Sequence, residues 1–154
     1  MKANCEEYNL NGEVADIYIG HSNEVTTRSV KEGTFKENQG LIGDKHLSHG
    51  NRQVTIFSAE GRNRINTIEV DGLCVNRFYE NLTIKGLDVS KFSIGQEFII
   101  GTAAFQVTSL GKKCFSECNI VKRTEVCSLK YGVIFANVIA GGTVRVGDRV
   151  LIKQ

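Results

Sequence analysis

A mainly β, barrel-like domain with a few short helices is what the sequence predicts, and three observations lead there. Short runs rich in β-branched and aromatic residues recur through the second half, at Leu82–Ile84, Glu97–Ile100, Ala104–Leu110 and Arg149–Ile152. Glycine occurs 16 times and proline not at all, so glycine makes the many tight turns that separate such runs. Only one segment combines a helix start signal with helical spacing.

The elements follow in chain order. Residues 1–11 are expected to form a loose N-terminal segment. Residues 11–20 alternate through Val14, Asp16, Ile17, Tyr18 and Ile19 and predict a first strand. Residues 21–40 are polar and predict a loop or hairpin, and 41–50, with glycine and histidine turn signals, an irregular stretch. Arg52 to Phe57 is a short β-rich run. Ser58 is a helix N-cap ahead of Arg62, Arg64, Ile65 and Ile68, with Gly61 weakening the helix. Cys74–Tyr79 and Tyr131–Ala140 each fit a strand or a short helix. Ser93–Ile100 echoes Arg145–Ile152, each a glycine turn feeding an apolar strand, and the pair suggests two hairpins in one barrel. With no composition break, residues 1–154 are expected to form one domain.

Composition bounds the function. Lys+Arg 19 against Asp+Glu 17 leaves +2, which argues against nucleic-acid binding through a bulk positive field. No apolar run approaches the roughly 20 residues needed to cross a bilayer, and the N-terminus has no signal-peptide pattern. A cytoplasmic protein without membrane or nucleic-acid partners is expected. The five cysteines, Cys5, Cys74, Cys114, Cys118 and Cys127, are an odd number and read as thiols in a reducing compartment.

Chemistry concentrates in two places. Lys112, Lys113, Lys122 and Arg123 set four cations against Glu117 alone, a local charge of +3 in a chain whose total is +2. A thiol among cations is stabilised as thiolate, the form that attacks and that binds metals, and Cys114 follows the lysine pair at the end of a predicted strand. Cys118 lies on the same face as Cys114 if the segment is helical, so the two thiols suit a redox pair or half of a zinc site, with Cys127, His46 or His49 as further ligands. The alternative for Cys114 is a buried structural thiol. The second place is Gly43-Asp44-Lys45-His46 with His49, Asn51 and Arg52, which suits an anion or phosphate site as well as a solvated loop whose aspartate caps a turn. Glu80-Asn81 ahead of Leu82-Thr83 reads as an Asx turn or as ligand-binding.

The order of these motifs resembles a known family. Gly40–His46 is followed by Arg52–Val54 leading to Ser58–Glu60, then Glu80–Thr83, Gly86–Asp88, Ile94-Gly95, Gly111–Cys114, Gly132–Ala136 and Gly141–Asp148. This series resembles the MOSC domain, found at the C-terminus of molybdenum cofactor sulfurases and as free-standing bacterial proteins. The likeness runs from around Gly12 to the C-terminus.

The resemblance implies a barrel-like β fold that binds molybdenum cofactor, a pterin dithiolene carrying a phosphate. The family's hallmark cysteine corresponds to Cys114, which is then the catalytic residue and the metal ligand, or a persulfide carrier. Lys45, His46, Arg52, Asn81 and Thr83, with Lys112 and Lys113, are implied around the pterin and its phosphate. The implied activities are sulfur carriage, with a cysteine-desulfurase-type donor as partner, or molybdenum-dependent reduction of N-hydroxylated compounds, with a redox partner. Lys112-Lys113 stands where many members have an arginine-rich stretch, and Cys118 and Cys127 are extra to the hallmark. Beside this reading stand a non-catalytic anion-binding module and a Cys114/Cys118 thiol-redox or zinc protein.

Overall fold

Alternating side chains with glycine turns between them produce eleven strands among the described residues. The computed structural model describes residues 8–20, 27–45, 47, 50, 52–67, 79–111 and 132–153. The strands are β1 (Tyr8–Gly20), β2 (Thr27–Val30), β3 (Glu32–Lys36), β4 (Gly40–Leu41), β5 (Val54–Ser58), β6 (Leu82–Lys85), β7 (Glu97–Ile100), β8 (Ala103–Leu110), β9 (Val133–Ala140), β10 (Gly142–Arg145) and β11 (Arg149–Lys153). One helix, α1 (Ala59–Thr67), follows β5, and a 3-10 turn spans Val89–Lys91. No helix of the described residues is long and apolar enough to cross a membrane.

Seven strands close a barrel in the order β1-β6-β5-β9-β8-β7-β11, and β11 returns to β1 through pairs such as Tyr8↔Lys153 and Leu10↔Leu151. β2 continues β1 beyond the closed part. A three-stranded sheet, β10-β3-β4, packs Phe35, Leu41 and Val144 into the same core. The seams are antiparallel except β5–β6, which is parallel and needs a crossover connection, carried by α1 and the chain to residue 81.

β1 serves three partners, and Gly12 lies where its pairing with β11 bulges. The β1–β11 register shifts between Leu10 and Glu13, and at Glu13 β1 pairs with β11 and with β6 at once. Gly12 sits inside this bulge at φ +103°, and a Cβ there would lie 2.6 Å from Ile84 Cγ2 and 2.7 Å from the Lys85 oxygen.

The structure revises several sequence expectations. Residues 8–11 are part of β1, and Tyr8, Asn9 and Leu10 pair with β11, so the loose segment does not extend that far; the partner strand is distant in sequence and left no local trace. Residues 133–140 are strand, because β9 pairs with both β5 and β8. The two echoing units do build the barrel, with Gly95 and Gly147 both at positive φ. They do so by pairing β7 with β11, and only the first belongs to a hairpin, β7–β8; β10 pairs with β3 instead. The helix starts as expected, with Ser58 Oγ accepting from the Gly61 N–H at 3.0 Å.

An aromatic file fills the barrel. Phe92 meets Phe98 edge-on at 5.5 Å, Phe98 stacks on Phe105 at 5.3 Å, and Phe105 meets Phe35 edge-on at 5.2 Å. Phe105 joins β8 to the three-stranded sheet and is fully buried. Phe105→Ala should therefore cost about 3–5 kcal/mol, from lost burial plus the cavity left behind. Urea unfolding followed by circular dichroism checks it; a loss below about 1 kcal/mol, the scale of a tolerated volume-conserving swap, would mean the file is not the core's centre.

Candidate functional site

The outer face of β9-β5-β6-β1 is where the candidate residues gather. Val54 and Ile56, Leu82 and Ile84, Ile134, Ala136 and Val138 point into the barrel core. Their neighbours therefore point outward. Register aligns Val133, Phe57, Thr83 and Asp16 in one row across the wall. Beside it run Phe135, Thr55, Asn81 and Tyr18, joined by the β5–β9 register and by backbone bonds from Asn81 N to Thr55 O and from Tyr18 N to Asn81 O, both 2.8 Å. All of β5 is buried, so this wall is covered on its outside as well as its inside.

Asn81 and Thr83 are spent on the wall itself. Asn81, 1% exposed, accepts the Thr55 N–H on Oδ1 at 3.0 Å and donates from Nδ2 to the Tyr18 carbonyl at 3.3 Å. It thus completes the backbone pairing just before β6, a long-range role unlike an Asx turn. Thr83, 4% exposed, donates to Glu80 Oε2 at 2.7 Å.

Glu80 is itself 1% exposed, and its charge is met by Arg62 of α1. Arg62 Nε donates to Oε2 at 3.3 Å while Nη2 donates to Oε1, a fork-on-fork pair. The guanidinium also lies 5.2 Å from the Phe57 ring centroid. This ion pair locks the helix to the wall.

A second anchor holds the loop after β4. Asp44 Oδ1 accepts from the Gly20 N–H at 2.8 Å and from the Tyr79 hydroxyl at 2.9 Å, and Lys45 N donates to Gly20 O at 2.6 Å. Burial pushes the Tyr79 phenol well above its usual value, and the Asp44 charge and hydrogen bond push the same way. The Tyr18 phenol is raised too, by burial and then by Asp16.

Two cations crown this face. Lys45 Nζ stands 5.1 Å from the Tyr79 ring centroid, and Arg52 Cζ stands 4.6 Å from that of Phe135. Both side chains are exposed, and neither has a carboxylate partner among the described residues. Such a pair can attract an anion, and the arginine can grip it with two hydrogen bonds. Of the expected site residues, Lys45, Arg52, Asn81 and Thr83 thus belong to one face. Cys114, His46, Lys112 and Lys113 lie outside the described residues, as do the other cysteines and histidines. Sequence reasoning missed Arg62, Tyr79, Phe57 and Phe135 as site-building residues. Arg62, Tyr79 and Phe135 act through partners remote in sequence, and Tyr79's position next to Glu80-Asn81 was the available hint.

Two outcomes follow from this geometry. Removing the Glu80 carboxylate breaks this forked pair, so Glu80→Ala should destabilise by about 2–3 kcal/mol, the buried-pair cost reduced because the arginine is partly exposed. Chemical denaturation reads it, and a loss near zero would make the pair ornamental. The raised Tyr79 phenol means that the fold prefers the neutral form. Its contribution is full below the ordinary phenol range, near pH 10, and is lost as pH rises above it, because the unfolded chain ionises first. Thermal melts from pH 9 to 11 should show a steeper decline for the parent than for Tyr79→Phe, and parallel declines would refute the assignment.

Comparison with known proteins now places the chain. The profile of the MOSC domain matches residues 43–151. YuaD from Bacillus subtilis shares the fold with a TM-score of 0.66 at 18% identity, over 96% of this chain and 100% of that one. YiiM from Escherichia coli does so at 0.60 and 21% identity, over 96% and 69%, and YiiM from Geobacillus stearothermophilus at 0.58 and 14%, over 96% and 76%. Among curated proteins none matches. The structural likenesses speak for the barrel, and the profile, covering most of the chain and running through Asp44, Lys45, Arg52, Asn81 and Thr83, speaks for the lineage: the chain belongs to the MOSC domain family.

Proposed function

We propose that this chain binds molybdenum cofactor on the outer face of β9-β5-β6-β1, with Cys114 as the thiolate that meets the metal or carries a persulfide. The observation that supports it most is the pair of cations without carboxylate partners among the described residues, Lys45 and Arg52, above a wall where Asn81 and Thr83 are hydrogen-bonded within the fold. That donor set fits a phosphate-bearing ligand. Asn81 and Thr83 serve by fixing the wall beneath the pterin, and His46, Lys112 and Lys113 complete the anion-binding rim. Covalent connectivity supports the role of Cys114: Gly111 N donates to Val133 O at the edge of this wall, and Cys114 is three residues on, within about 11 Å of chain.

The cofactor would supply a soft metal that changes oxidation state by two electrons. This chain's residues would orient it, hold its phosphate and present a thiolate, whose softness suits a metal with sulfur ligands. For an N-hydroxylated substrate the balance is removal of oxygen as water, with two electrons from a redox partner and two protons. In sulfur carriage, the Cys114 thiolate would attack the outer sulfur of the persulfide on a cysteine-desulfurase-type donor, so that the donor's S–S bond breaks, its thiolate leaves and the persulfide passes to Cys114 with no change in net oxidation state. A cytoplasmic setting, with its reduced thiols, suits both.

Elemental analysis of protein purified without oxygen from a cofactor-competent host tests this reading. Near-stoichiometric molybdenum, lost in Cys114→Ser, is the expected result. Equal molybdenum in parent and variant would remove the ligand assignment. Zinc in place of molybdenum would bring forward the Cys114/Cys118 dithiol. No metal and no persulfide mass shift on Cys114 would leave an anion-binding module.

A further inference from the structure

Three cations rest on aromatic rings of this wall, and they divide into two kinds. Arg62 over Phe57 is neutralised by Glu80. Lys45 over Tyr79 and Arg52 over Phe135 are oriented by rings without a neutralising acid among the described residues. The distinction matters for anion binding. A lysine stem is flexible, and an exposed ammonium samples many positions. A carboxylate would orient it and cancel its charge, whereas a ring face orients it and leaves the charge in place.

The Tyr79 ring is itself tightly determined. Its hydroxyl donates to Asp44, which also takes the Gly20 N–H. The ring lies over Gly20, where a Cβ would come within 2.6 Å of the phenol oxygen. The backbone N–H of Lys45 bonds the carbonyl of the same Gly20, so backbone and ammonium of one residue are referred to one point on β1. With its phenol raised by burial, Tyr79 stays a neutral donor across the physiological range.

We propose that Tyr79 is a positioning residue whose ring face holds the Lys45 ammonium at the phosphate end of the ligand site. This rests on the reading of Lys45 as a phosphate contact. It makes Tyr79 a determinant of preference for phosphorylated over unphosphorylated pterins, while Tyr79 itself touches no ligand.

The experiment compares binding of 6-hydroxymethylpterin and its phosphate monoester, read by pterin fluorescence, which the absence of tryptophan leaves unobscured. The parent should prefer the phosphate ester, and Lys45→Met should abolish the lysine's share of that preference. Tyr79→Leu should reduce the preference roughly two- to fivefold, the scale of an exposed cation–π contact, with affinity for the alcohol unchanged. Tyr79→Phe, which keeps the ring, should restore it. If the parent shows no preference, or Lys45→Met retains it in full, the phosphate role of Lys45 fails. If Lys45→Met loses the preference while Tyr79→Leu keeps it, the role of Tyr79 is overturned and that of Lys45 stands. Equal loss of alcohol and ester binding in Tyr79→Leu, or loss in Tyr79→Phe as large as in Tyr79→Leu, would also overturn positioning by the ring.

Discussion

β5 and β6 run parallel in a barrel whose other described seams are antiparallel, and the arrangement of the candidate site depends on that pairing. Parallel neighbours cannot be joined by a tight turn. The chain must leave β5 and return to enter β6 from the same end at which it entered β5. The crossover begins with α1 and ends with Tyr79, Glu80 and Asn81. A face that would otherwise meet water is thereby covered, and its residues change character accordingly. Phe57 and Val133 are buried on the outside of the wall, and Glu80 is a buried carboxylate that needs Arg62.

The crossover also explains the division of labour among polar residues. Where the returning chain joins the ladder just before β6, the Asn81 side chain completes its backbone pairing, accepting from the Thr55 N–H and donating to the Tyr18 carbonyl. An unpaired backbone group buried there would cost more than an ordinary hydrogen bond returns. Residues nearest the barrel thus satisfy the fold, and Lys45 and Arg52, farther out, are exposed and have no carboxylate partner among the described residues.

Much of this was legible in the sequence, for reasons tied to particular residues. Strands such as β7, β8 and β11 announce themselves by local apolar runs between glycines. Ser58 marks the helix because capping is a contact only three residues long. Lys45 and Arg52 were visible as cations beside turn residues. What stayed hidden was long-range. Pairing of β1 with β11 assigns residues 8–10 to a strand, yet nothing in those residues says so. Asp44 is a tether for Tyr79 and Gly20 where local reading offered a turn cap, and Arg62 finds Glu80 only because the crossover brings them together. A carboxylate's partner is a property of topology, and topology is not written in spacing.

The seam between β1 and β11 joins segments from opposite ends of the described chain. β11 also bonds β7, so a single five-residue strand covers two edges at once. Until it is made and docked, β1 and β7 expose unpaired backbone, the template on which sheets of different molecules join. Loop closure over so much chain is slow relative to local hairpins. The nascent protein therefore has a vulnerable interval during synthesis, which lasts until β11 has docked between β1 and β7.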